Sequence, residues 1–143
     1  MRKLSIFILI LAAGFIIKTE ASAQCDPGTF ANVCIPKLSG GFNFLKAYKV
    51  DGEGGNKTKV EYSYVFAKGT QYMINLCTGN GDADGVVVTL YDSNRNKKVS
   101  NVYEGEYLSA IQYLCNATGI YYITYTFENS SQYCGGSALG FKR

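Results

Sequence analysis

The sequence predicts an all-β domain, an antiparallel sandwich or barrel, on three observations. Apolar and aromatic residues recur at every second position in several short runs. The clearest is Tyr121, Ile123, Tyr125 and Phe127 on one face, with Tyr122, Thr124 and Thr126 on the other. Clusters of Gly, Asn, Asp and Ser punctuate these runs at short intervals. Beyond the first 23 residues no stretch combines a helical apolar period with helix caps, so essentially no helix is expected.

The chain begins Met1-Arg2-Lys3, runs without a charge from Leu4 to Ile17 and reaches Ala21-Ser22-Ala23. That is the pattern of an export signal cleaved after Ala23. The uncharged run is shorter than the roughly 20 residues a membrane span needs, so no transmembrane segment is expected in the mature chain. Ser22, Ala23 and Gln24 ahead of Cys25 do not form a lipid-attachment box. The expected division is a signal peptide over 1–23, a loop-rich disulfide cap over 24–41 and a β-sandwich over 42–143.

Removing the signal leaves 120 residues, enough for one domain with a real core, with 11 basic against 10 acidic side chains. A net charge of +1 with no long Lys/Arg run argues against a nucleic-acid partner. All five cysteines survive, and an oxidising compartment makes two bridges and one thiol the expectation. The short loop between Cys25 and Cys34 predicts that these two pair. For the remaining three, Cys77 with Cys115 is favoured, and Cys115 with Cys134 stays open.

The elements follow in order. Cys25–Gly41 holds both prolines and little periodicity. Phe42–Val50 reads as a strand with Phe42, Phe44, Tyr48 and Val50 on one face, interrupted by Lys46, and 51–58 is a polar loop. Val60, Tyr62, Tyr64 and Phe66, the turn Ala67-Lys68-Gly69-Thr70, and Tyr72, Ile74 and Leu76 read as a hairpin-like unit. Val86–Tyr91 and Lys98–Tyr103 form another strand pair around the basic tip Arg95-Asn96-Lys97-Lys98. The run Val86-Val87-Val88 is apolar on both faces and predicts a central strand. Ser109–Phe127 reads as a complete hairpin around Asn116-Ala117-Thr118-Gly119, and Ala138–Phe141 as a short last strand. At an offset of 50 residues the two hairpin-like units echo one another (Ala67/Ala117, Gly69/Gly119, Tyr72/Tyr122), an echo that shared turn chemistry explains.

Three segments in succession resemble a known family: Tyr62-Ser63-Tyr64-Val65-Phe66 with Lys68-Gly69-Thr70-Gln71-Tyr72, then Gly81-Asp82-Ala83-Asp84 leading into Val88–Asp92, then Ala117–Ile123. Over about residues 58–127 their order is similar to that of the bacterial pre-peptidase C-terminal domains. The runs and turns count about seven or eight strands, and the resemblance implies that they form a secreted, jelly-roll-like antiparallel β-sandwich. It further implies a role in binding, spacing or secretion rather than catalysis.

With no histidine in the chain, His-dependent nucleophile systems and the usual zinc ligands are excluded. Glu104 and Glu106 flank Gly105 and read as a solvated turn rather than a catalytic pair. Asn80, Asp82 and Asp84 place an oxygen ligand at every second residue before Gly85, the first half of a calcium loop, but Tyr91 stands where its closing carboxylate would be. Calcium is the one cofactor the sequence suggests. Tyr103, Tyr107 and Tyr133 lie near loops and are the candidate ligand-contacting aromatics, whereas Tyr62, Tyr64, Tyr72, Tyr113, Tyr121 and Tyr125 fit a core face. The sequons at Asn56, Asn116 and Asn129 all fall in expected loops.

The expected protein is therefore a non-catalytic binding module, secreted to the periplasm, the cell surface or the exterior, that takes a glycan or an envelope protein. The alternative is a structural or accessory subunit of a secretion or surface assembly.

Overall fold

The alternating runs become strands in a computed structural model that describes residues 25–81 and 83–143; the expected signal peptide at 1–23 lies outside those residues. Ten strands follow in order: β1 Asn43–Asp51, β2 Lys59–Phe66, β3 Gln71–Thr78, β4 Val86–Tyr91, β5 Lys97–Ser100, β6 Val102–Tyr103, β7 Glu106–Tyr107, β8 Ala110–Leu114, β9 Gly119–Phe127 and β10 Cys134–Lys142. The first sheet runs β1-β10-β3-β8, the second runs β2-β9-β4-β5, and β6 pairs only with β7. All pairings are antiparallel.

With the small β6–β7 hairpin set aside, the pairs nest. β4 with β5 is innermost, and β3 with β8, β2 with β9 and β1 with β10 follow outward. A hairpin of four nested pairs rolled into two facing sheets is a jelly roll. This wiring corrects two expectations. Val60–Leu76 and Ser109–Phe127 are not hairpins, because β2 and β3, like β8 and β9, belong to opposite sheets. Their turns are arches that carry the chain across the core. Phe66 and Tyr72 enter the interior from opposite sheets and stack at 3.8 Å between ring centroids. The two arches lie on each other: Gly69 N–H donates to the Cys115 carbonyl at 2.8 Å and Cys115 N–H to the Thr70 carbonyl at 3.0 Å. The 50-residue echo is thus two crossings of like chemistry stacked in opposite directions.

The core between the sheets holds Val50, Phe66, Ile74, Leu76, Val86, Val88, Leu90, Ile123, Tyr125 and Leu139, all nearly inaccessible. The tyrosines assigned to the core are there, with Tyr72, Tyr121 and Tyr125 buried and Tyr62, Tyr64 and Tyr113 packed partly against them. In β1 the pairing shifts between Phe44 and Lys46. This bulge turns Phe44 outward, 46% exposed, and brings Leu45 against the core. Phe44 therefore does not share the face of Tyr48 and Val50.

The cap contains a helix that the sequence reading lacked, α1, Pro27–Cys34. Asp26 caps it, its carboxylate accepting the Thr29 N–H at 3.2 Å and the Thr29 hydroxyl at 2.6 Å, and Pro27 opens it. The helix lies across β10, which begins at Cys134 and is longer than expected. A Cβ on Gly136 would fall 2.0 Å from the Ala31 nitrogen, so only glycine admits the helix there. Asn75, buried, donates to the Cys34 carbonyl and accepts from Ala138 N–H, both at 2.8 Å.

The bridges are Cys25–Cys134 and Cys34–Cys77, leaving Cys115 as a buried thiol. Two bridges and one thiol agree with the count, but the partners do not agree with the sequence reading. An eight-residue helix is about 12 Å long, which separates Cys25 from Cys34 beyond the reach of a disulfide. Cys77 faces α1 on the outer side of β3, in a cluster with Cys34 and Ala138, whereas Cys115 belongs to the core between the sheets. Cys134 and Cys115 flank opposite ends of β3, which also removes the open alternative.

Candidate functional site

The two outer faces of the sandwich differ. α1, clasped by both disulfides, covers part of the first sheet; among the described residues no element lies across the second. On that uncovered face the register lines side chains up in rungs. Ser100, Thr89, Thr124 and Glu61 are successive partners across β5, β4, β9 and β2, and Lys97, Tyr91, Tyr122 and Ser63 form the next rung. Val87 and Thr126 form the rung on the other side. These positions follow from the period-2 pleat: Val86, Val88, Leu90, Ile123 and Tyr125 take the core side, so their neighbours must take the outer side.

A groove of about 360 Å³ runs along these rungs, with Thr89, Thr124 and Thr126 in it, Tyr91 and Lys97 at one end and Val102 and Glu128 among its walls. Two devices shape it. Asn101, fully buried, accepts from Val88 N–H at 2.8 Å and donates to the carbonyls of Val86 and Leu108 at 3.0 Å, which anchors the β6–β7 hairpin and so places Val102. Arg95, from the β4–β5 turn, folds back over Tyr122 at 3.7 Å from the ring centroid and donates to Glu61 at 2.8 Å. Glu61 also accepts the Thr124 hydroxyl at 2.9 Å. The Arg95 hydrogen bond holds the Glu61 carboxyl below its ordinary range, with Thr124 and the neighbouring cations adding to the effect against partial burial.

The residues singled out from sequence are dispersed. Tyr103 is 64% exposed on β6, next to the groove wall Val102, and Tyr107 is half-buried on β7. Tyr133 is not a free platform: its ring packs on Phe127 at 5.7 Å between centroids and lies over Gly55. Tyr103 and Tyr107 share the β6–β7 hairpin, whereas Tyr133 lies between β9 and β10. Glu104 and Gly105 both have positive φ and make the two-residue turn of the β6–β7 hairpin, with Glu104 and Glu106 exposed.

Asn80 and Asp84 do come together, but around hydroxyls and an amide. Ser130 and Ser131 donate to the Asp84 carboxylate at 3.1 and 3.2 Å, and the Asn80 amide donates to Ser131 at 2.6 Å. These bonds tie the β3–β4 loop to the β9–β10 loop. Asp82 lies outside the described residues. Among the described residues no group of three metal-capable acidic or sulfur side chains occurs; Asp84 with Ser130 and Ser131 is the donor set a cation would meet. The basic tip is largely committed: Arg95 to Glu61, and Lys98 to Asp92 at 3.0 Å, leaving Lys97 in the groove.

Sequence reasoning missed Thr89, Tyr91, Ser100 and Asn101. Thr124 and Thr126 were already on the non-core face of their strand, and the same alternation over Val86–Tyr91 puts Val87, Thr89 and Tyr91 outward. What the sequence lacks is the adjacency of β4 to β9, two strands more than 25 residues apart in the chain.

No family model and no curated protein matches the chain. Among solved structures it is similar to that of PliG from Aeromonas hydrophila, a periplasmic lysozyme inhibitor of g-type lysozyme. The identity is 13% and the TM-score 0.45, over 71% of this chain and 86% of that one. A likeness this distant assigns neither ligand nor activity to the chain.

Proposed function

We propose that the protein is an exported, non-catalytic binding module acting at the cell envelope or outside the cell, with a glycan or a protein as its ligand. The observation that supports this reading is the uncovered outer face of the second sheet with its formed groove. Its volume falls within the range of ordinary ligand sites, and its lining combines hydroxyls, one phenol, apolar side chains and the charged Lys97 and Glu128. Two disulfides and an N-terminal leader fit export. The test is to pass mature protein over immobilised envelope polysaccharide and, separately, to recover it from native envelope with its partners. Retention on the polysaccharide or a stoichiometric protein partner supports the module; a protein that binds neither contradicts it.

A second reading, an accessory subunit of a surface assembly, is favoured by the edge of β2. Other edges are blunted: β1 by its bulge, β5 and β8 by their shortness, β5 also by Lys97 and Lys98. β2 runs eight residues in unbroken register with β9, and Val65 on it is 60% exposed beside Ile120. Such an edge accepts an added strand from a partner polypeptide. Val65→Lys would abolish recovery of that partner and spare polysaccharide retention; retention lost with the partner kept would reverse the assignment of the two surfaces.

A further inference from the structure

Resting on the binding-module reading, we propose that the groove on the second sheet takes an oligosaccharide, with Tyr91 as its stacking platform and Ser100, Thr89 and Thr126 as its hydrogen-bonding row. The first argument concerns what the groove offers. β4 lies between β9 and β5, and β9 between β2 and β4, so the main-chain groups of these two of the three lining strands are engaged in ladders on both sides, and the third, β5, is a four-residue edge. A peptide laid across this face finds no backbone partners, which are what give an extended peptide its affinity for a sheet. What remains for a ligand is side-chain hydroxyls, each both donor and acceptor. A ligand that carries hydroxyls around its rim and C–H groups on its faces matches that offer.

The second argument concerns which hydroxyls are free. Thr124 spends its proton on Glu61. Among the described residues Thr89, Thr126 and Ser100 line the groove without donating to a protein acceptor, apart from the longer contact in which Ser100 accepts the Val102 N–H at 3.4 Å. They sit on β4, β9 and β5, so three strands contribute to one row; Ser100 and Thr126 are partly exposed, and Thr89, 8% exposed, is the most enclosed of the three. Tyr91 is half-buried at the end of the row, and its neighbour Tyr122 is roofed by Arg95, which leaves Tyr91 as the ring of this pair available for stacking. Val102, 37% exposed, supplies apolar surface at the other end, with the buried Val87 also in the lining.

The third argument is rigidity. Thr89 and Thr124 belong to paired strands in mid-sheet, the Arg95–Glu61 pair holds one side, and Asn101 fixes the other with three hydrogen bonds. A preformed row of hydroxyls loses little conformational freedom on binding. The two charged side chains of the lining, Lys97 and Glu128, are exposed and of opposite sign, so the groove carries no net charge and the ligand it fits is a neutral sugar chain.

The experiment is calorimetric titration of the mature protein with cellopentaose, chitopentaose, maltopentaose and mannopentaose. At least one is expected to bind. Tyr91→Ala is expected to weaken it about tenfold, and Thr126→Trp, which fills the groove from its exposed side, to abolish it. Leu114→Ala, exposed on β8 of the first sheet, serves as the control and is expected to leave it unchanged. Thermal melts that match the wild type exclude misfolding of the variants; if Tyr91→Ala melts early, Tyr91→Phe is expected to retain most of the affinity. Binding that is indifferent to both groove variants overturns the site and leaves the binding-module reading standing. No binding to the four oligosaccharides, with a protein partner recovered from native envelope, overturns the glycan inference alone. No ligand of either kind overturns both.

Discussion

At the scale of single residues, most of the sandwich was legible as parity and most of what was missed was a local exception to it. Tyr121 to Phe127 alternate as the sequence says; β1 does not, because one inserted residue at Leu45 reverses the face of Phe44. Two substitutions test the packing. Gly136→Ala sets a methyl group against the backbone of α1 and is expected to lower stability by about 2 kcal/mol or more, read as a reduced melting temperature. Tyr48 is its counterpart. Its hydroxyl is buried, pushed upward in pKa by that burial, and without a hydrogen-bond partner among the described residues. Tyr48→Phe is therefore expected to be neutral or stabilising by up to about 1 kcal/mol, since it removes an unsatisfied group and keeps the ring stacked on Tyr62. Asp92 gives a pH signature. Its carboxylate accepts the N–H groups of Asn94 and Asn96, both at 2.9 Å, and the Asn96 bond leads in lowering its pKa from 3.8 to about 2. A group depressed on folding contributes stability that is present above its unfolded pKa and lost as pH falls through the folded one. The β4–β5 turn is thus expected to hold down to pH 3.8 and loosen toward pH 2, seen in the Asn94 and Asn96 amide resonances.

At the scale of elements, local turn chemistry does not say whether a chain reverses within a sheet or crosses to the other one. Ala67-Lys68-Gly69-Thr70 and Asn116-Ala117-Thr118-Gly119 carry the residues of hairpin loops, yet both are arches, because the aromatic rings on either side are better buried between two sheets than on one. α1 escaped notice for a different reason. Eight residues hold too few turns for a period, and only the Asp26-Pro27 start signalled it. Its position decides the disulfides, since it carries Cys34 away from Cys25 and onto Cys77. Replacing both Cys34 and Cys77 by Ala is expected to cost about 2–4 kcal/mol, read by denaturant unfolding, with the jelly-roll core retained. Loss of all β structure in that variant would show that the clasp is needed to form the sandwich and not only to secure the helix.

At the scale of the whole molecule, the rolled hairpin does what no single strand shows: it brings β4 and β9 side by side and stacks their outward Thr and Tyr residues into one face. The all-β class was legible from the alternation, and two bridges with one thiol from the cysteine count, whereas the groove was not, because it is made by adjacency across the fold. The central claim is that this face, and not the loops bearing Tyr103, Tyr107 and Tyr133, contacts the ligand. The most direct measurement is a map of backbone amide shifts in isotope-labelled protein during titration with whichever of the four pentasaccharides binds. Perturbations confined to Val87–Tyr91, Lys97–Ser100 and Thr124–Thr126 are the predicted result; perturbations centred on the β6–β7 hairpin and Tyr133, with the sheet unmoved, would contradict it.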